Sequence, residues 1–240
     1  MTIQFLVYAA IQLGLFVWLV RIYRWSGAAA ALLLIVPQFF LFYDNFMVAI
    51  GSFIGIGDTL KALSWPRFWV HWLAGMWLII ACGSILRLAE FKWAENKLVM
   101  ASFCVLTVGL MFHDLPNFWS VDLYPVCESD TVRYTSRVAA GMSCTDPSFA
   151  IRQRDTPLAV ILACYVVILT GAVLLVGRRW PWLWLGGVLM LTTATVPALR
   201  AMKLDNFGEV LIAGSAIWTI AHFAGRRRAR APARPALSVA

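Results

Sequence analysis

The stretch LAVILACYVVILTGAVLLV, Leu158 to Val176, contains no charged residue and no proline. A helix needs about 20 mostly apolar residues to cross the hydrocarbon of a bilayer, so this run is long enough to span one unaided. Six further runs share its character, near Ile3–Val20, Ala28–Ile50, Phe68–Leu86, Leu98–Phe112, Pro181–Leu199 and Phe207–Phe223. Together they consume most of the 240 residues and leave no room for a separate soluble domain. The first run has no basic segment before it and no small-residue cleavage pattern, and Arg21 and Arg24 follow it directly, so it reads as a helix and not as a signal peptide.

Composition agrees. The chain is 61% hydrophobic and only 13% charged, with a mean hydropathy of +0.77, well above the apolar share of ordinary soluble domains. The expected fold is all-α, a seven-helix polytopic membrane bundle over residues 1–225, followed by a basic disordered tail over 226–240. The formal charge of +8 does not point to nucleic acid, because the charges fall between apolar runs and not along one soluble face.

Those charges set an orientation, since cytoplasmic loops carry the excess of Lys and Arg. Arg21/Arg24, Arg87/Lys92/Lys97, Arg178/Arg179 and the tail arginines fall on one side, 12 basic residues against Glu90 and Glu95, a net +10. The other side holds the remaining 8 basic and 10 acidic residues, a net −2. The chain is therefore expected in a cell (inner or plasma) membrane with its N-terminus outside and its C-terminus cytoplasmic.

On that assignment residues 114–157 form a long outer loop, a candidate lid. Cys127 and Cys144 both lie in it and are expected to pair in an oxidising compartment, the alternative being two free thiols. No cysteine or histidine spacing suits a metal, and no cofactor motif is present: the glycines at 51, 55 and 57 follow no strand, and close packing explains them better than a dinucleotide. Pro66 suits the first turn of the third helix, and Asp58 suits the cap of a short interfacial helix ending near Trp65.

Ionisable groups inside spans are costly, so each is a candidate for function. Asp44, Asn45, His71, His113, Asp114, Asp205, Asn206 and Glu209 come from four different runs, yet all fall near the outer ends of their helices. The tripeptide Asp-Asn-Phe occurs twice, at Asp44–Phe46 and Asp205–Phe207, on helices of opposite direction. A histidine beside a carboxylate can exchange protons with a substrate, so Asp44, His71, His113, Asp114 and Asp205 are the candidate catalytic groups. His113 and Asp114 are neighbours whose side chains point about 100° apart on a helix, so each is expected to find its partner elsewhere. Asn45, Asn206 and Glu209 would orient a substrate. Most of the twelve tryptophans suit an interfacial belt, whereas Trp72, Trp77 and Trp218 lie deeper and would line the cavity, where aromatic faces stabilise cations.

Known seven-helix classes fit poorly. A retinal protein needs a lysine within the last helix, and the nearest, Lys203, precedes it. Zinc hydrolases of the ceramidase and adiponectin-receptor type cluster their histidines, whereas His222 here lies about 25 Å below the other two. Small integral-membrane terpene cyclases are similar in length and span count, but no motif is shared and no family is assigned. The sequence thus leads to an enzyme acting by acid/base catalysis on a lipidic or isoprenoid-like substrate, by isomerisation, cyclisation or hydrolysis. The alternative is a transporter or sensor binding a small cationic or polar ligand in the same pocket.

Overall fold

The computed structural model describes residues 1–151 and 158–230; the side chains of residues 70–72, 117, 118 and 120 lie outside that description. The chain forms helices α1 (Thr2–Ser26), α2 (Ala29–Ile54), α3 (Asp58–Trp72), α4 (Trp77–Leu88) and α5 (Lys97–Ser120). A hairpin of β1 (Tyr124–Glu128) and β2 (Thr131–Thr135) follows, and then α6 (Leu158–Arg178), α7 (Trp182–Thr195), α8 (Pro197–Ala201) and α9 (Leu204–Arg230). Among the described residues six helical segments are long and apolar enough to cross a membrane, with α3 and α4 counted as one; α7 is apolar but only 14 residues long. The protein is a largely helical, multi-pass membrane protein.

Local signals start and stop the helices. Gly27 ends α1 in the left-handed conformation that a side chain disfavours, its N–H returning to the Tyr23 carbonyl. Asn96 caps α5 by accepting from the Leu98 N–H at 2.9 Å. The third apolar run departs from expectation. Pro66 lies inside α3, which runs unbroken from Asp58, and the helix yields instead to a 3-10 turn at Ala74–Met76 before α4. Gly57 is the cap residue, and Asp58 sits in the first turn without a side-chain cap bond. Helix α3 survives its internal proline because it packs against α2 and β2. Helix α9 likewise runs through Arg230, so the first residues of the expected disordered tail are helical, and 231–240 lie outside the described residues.

The largest core cluster joins α1, α2, α4, α6, α7 and α9 around Leu19, Leu34, Ile85, Leu174, Ile217 and Ile220. Small residues let these helices approach, as small residues do between membrane helices. Gly186 of α7 abuts Ser215 of α9, and Gly208 of α9 abuts Thr193 of α7. Outside, Val105, Phe112, Leu169 and Val176 stand more than half exposed, the pattern of a surface that faces hydrocarbon.

The bundle has two chemically distinct ends. At one, Arg178 donates to the carbonyls of Ala89 and Glu90, Arg230 pairs with Glu90 and Arg228 donates to the Trp25 carbonyl. The other end carries the hairpin. Helix α5 runs six residues beyond Asp114, so the connection is shorter than the expected 114–157 loop, and its first part is folded. Asp130, at the hairpin tip, accepts from the Thr2 N–H and pairs with the terminal amine at 2.7 Å, and its carbonyl accepts from Ser52. Val121, Leu123 and Tyr134 pack with Met47 of α2 and Leu60 of α3.

Cys127 and Cys144 form a disulfide that joins β1 to the returning arm, where the Cys127 N–H also donates to Met142 and the Cys144 N–H to Pro125. With the cysteines 17 positions apart, closing the loop is worth about 3 kcal/mol in the chain-entropy account. Replacing both with serine is expected to lower stability toward denaturant by about that amount and to expose the hairpin to protease first. Equal protease resistance in the double variant would show that the staple contributes nothing.

Candidate functional site

Helices α2 and α9 bring their carboxylates together at the hairpin end. Asp44, 4% exposed, pairs with Arg67 of α3, whose Nε donates to Oδ1 at 2.7 Å. Arg67 Nη1 donates onward to the Tyr134 carbonyl at 3.1 Å, so one guanidinium ties α2, α3 and β2 together. The Tyr43 hydroxyl adds a second tie by donating to the Leu63 carbonyl at 2.8 Å. One residue along, Asn45 donates to the Leu41 carbonyl, and its Oδ1 accepts from Asn206 Nδ2 of α9 at 3.3 Å. The two Asp-Asn-Phe segments therefore touch through their asparagines. Asp205 accepts from the Asn206 N–H at 3.1 Å.

A second ion-pair group lies beside the first. Glu128 of β1 bridges Arg133 of β2 at 3.0 Å and Lys203, just before α9, at 2.8 Å. Burial pushes the Arg133 guanidinium below its ordinary pKa and Arg67 pushes the same way, while Glu128, Asp44 and Asp205 oppose them. Its Nε finds no partner among the described residues.

One turn further along α9, Glu209 faces a different environment. Its side chain lines a cavity walled by Leu34, Leu41, Leu78, Val160 and Ile212, from α2, α4, α6 and α9. The cavity volume is about 100 Å³, enough for several waters or for a slender hydrocarbon. The wall is almost wholly apolar. Its other polar members include Gln38, whose amide donates to Gln12 Oε1 at 2.6 Å and to the Gln12 carbonyl at 3.0 Å. Glu209 Oε2 is buried and has no hydrogen-bond partner among the described residues. A buried carboxylate oxygen without a donor is costly. Such a group inside a membrane domain is a functional candidate by default.

The remaining sequence candidates fall elsewhere. His113 and Asp114 do pair, Nδ1 to Oδ1 at 2.9 Å, contrary to expectation: staggered rotamers and the length of the imidazole overcome the angle between neighbouring positions. The other oxygen of Asp114 accepts from the Ala159 N–H at 3.3 Å, so this buried carboxylate caps the start of α6. Trp218 does not line the cavity; it is 45% exposed and stacks on Trp182 at 4.8 Å, because its position on α9 faces outward. Trp77 is partly buried at the start of α4 and is not a lining residue either, its neighbours Gly75 and Leu78 taking that place. The side chains of His71 and Trp72 lie outside the described residues. His222 stacks on Trp180 at 3.9 Å, between three and four turns from Glu209 along α9.

Sequence reading missed Arg67, Arg133, Glu128 and Lys203 as ion-pair partners. It also missed Gln12 and Gln38, although each is an amide well inside an apolar run and open to notice on that ground. Compared with known protein families, curated proteins and solved structures, the chain matches none.

Proposed function

We propose that this protein is an integral membrane enzyme that performs acid/base chemistry on a lipidic, isoprenoid-like substrate, with the Glu209 carboxyl as the proton-transferring group. The observation that carries this reading is the unpartnered, buried Glu209 oxygen at the polar end of an apolar cavity. A hydrocarbon tail would fill the cavity between α2, α6 and α9, leaving the reactive end of the substrate against Glu209. Asp44, the acid favoured by sequence, is held by Arg67 and suits a fixed charge better than a proton carrier. Asp205, Asn45 and Asn206 border the same end and would orient a polar group of the substrate.

Counting α7 as a crossing gives seven, which joins an N-terminus on the hairpin side to a C-terminus on the arginine side. A disulfide favours an oxidising compartment for the hairpin, and clustered arginines favour the cytoplasmic face for the other end. Both support an inner or plasma membrane with the site toward the outer side.

The test is turnover and binding measured together, with purified wild-type and Glu209→Gln protein and polyprenyl alkenes, epoxides and esters as substrates, products being resolved by mass. Glu209→Gln is expected to lose 10²–10⁴-fold in rate, the usual worth of a positioned acid or base, with binding retained within a few-fold. Undiminished turnover in the variant would overturn the assignment. Binding without any turnover by the wild type would make this a sensor or transporter site.

A further inference from the structure

The arginine end of the bundle holds a second recess, at the opposite end from Glu209. Its rim carries Arg178 from the end of α6, Arg226, Arg227 and Arg230 from the last turns of α9, and Glu90 just after α4. Four guanidiniums face one carboxylate, a net +3.

These groups are not equivalent. Arg178 is a brace: Nε donates to the Ala89 carbonyl and Nη2 to the Glu90 carbonyl, each at 2.7 Å, and the guanidinium lies over the Phe91 ring at 4.4 Å. Those bonds hold the turn that presents Glu90, whose φ of 60° is left-handed. Arg230 engages the Glu90 carboxylate. Arg226 and Arg227 are exposed and pair with no carboxylate among the described residues. Leu88 and Phe223, both buried, supply the smaller, apolar part of the lining.

Clustered guanidiniums beside a small apolar patch suit an amphiphilic anion. A guanidinium offers parallel N–H donors that match two phosphate oxygens. Basic pockets between helices at a membrane surface are where acidic headgroups bind. We propose that this recess binds a phosphate group at the bilayer surface, as the headgroup of an anionic phospholipid whose glycerol and first methylenes rest on Leu88 and Phe223. Inorganic phosphate shares the charge chemistry but gains nothing from Leu88 and Phe223, so the two sources separate by affinity.

The experiment titrates the full chain in neutral detergent with short-chain phosphatidic acid, with inorganic phosphate and with phosphatidylcholine as control. Two charge-matched variants are compared, Arg226→Gln with Arg227→Gln in the recess and Arg21→Gln with Arg24→Gln at the end of α1. Melting temperatures check that both remain folded. Phosphatidic acid is expected to bind saturably, to weaken at least tenfold in the recess variant and to stay within threefold in the other. Inorganic phosphate binding as tightly as the lipid, with the same dependence on Arg226 and Arg227, would keep the site and make the free anion its occupant. Equal weakening in both variants would reduce the effect to general attraction by a basic surface and overturn the proposal. Failure of both phosphate probes to saturate would overturn it as well.

Discussion

Arg67→Ala is expected to destabilise the protein by about 3–5 kcal/mol, the cost of stranding a buried charge when its partner is removed. Asp44 is 4% exposed and Arg67 is 8% exposed, so water cannot replace the lost guanidinium without opening the packing. The variant also frees the Tyr134 carbonyl, which accepts from Arg67 Nη1. Two comparisons separate charge from shape. Arg67→Lys keeps the charge and loses the forked geometry, and should fall between wild type and Arg67→Ala. Pairing Arg67→Met with Asp44→Leu removes both charges and should recover much of the loss, as apolar replacement of buried pairs often does. Thermal unfolding in detergent reads all four proteins. An Arg67→Ala variant that melts with the wild type would mean that the pair carries no structural weight.

Gly51→Ala tests the seat of the hairpin. A Cβ at this α2 position would collide with the carbonyl of Val132, which is backbone and cannot rotate away as a side chain would. Overpacking of this kind costs about 1–3 kcal/mol. The hairpin must lift from α2 to relieve it, loosening the Tyr134 carbonyl and the Asp130 contacts beside it. Gly14→Ala in α1, where nothing lies within 4 Å of the added carbon, is the matched control and should melt at or above the wild-type temperature. Accelerated cleavage of the hairpin in Gly51→Ala but not in Gly14→Ala is the expected result; identical digestion of the two would contradict it.

The apolar runs were legible because a membrane span is a property of composition, and Leu158–Val176 needs no partner to declare itself. The convergence of Asp44 with Asp205 was legible too, from helix direction alone, once both Asp-Asn-Phe segments were placed at matching ends. Arg67 was not legible as the partner of Asp44. The two are 23 residues apart on separate helices, and that contact exists only after α3 packs on α2. Glu209 and Asp205 are both acidic and one turn apart, so no sequence pattern tells which one faces the apolar cavity. That difference is one of depth: residues four apart share a helix face, and Glu209 lies one turn farther in, level with the apolar lining. Pro66 misled for a similar reason: local rules start a helix there, while packing on the hairpin carries α3 through it.

The brevity of α7 bears on how protons would reach Glu209 under the proposed function. Fourteen residues rise roughly 21 Å, some 9 Å less than the hydrocarbon thickness of about 30 Å. As the seventh crossing of the proposed topology, α7 would need α8 and the turn at Lys203 to make up the difference, which would bring Lys203 and Asp205 with them. A bilayer adapts to such a mismatch by thinning locally. On that topology the headgroup layer would be drawn down beside α7 and α8, bringing bulk water toward the carboxylates at the start of α9. Hydrocarbon arriving from the membrane side and protons arriving from the dimple would meet at Glu209, each in the phase that dissolves it.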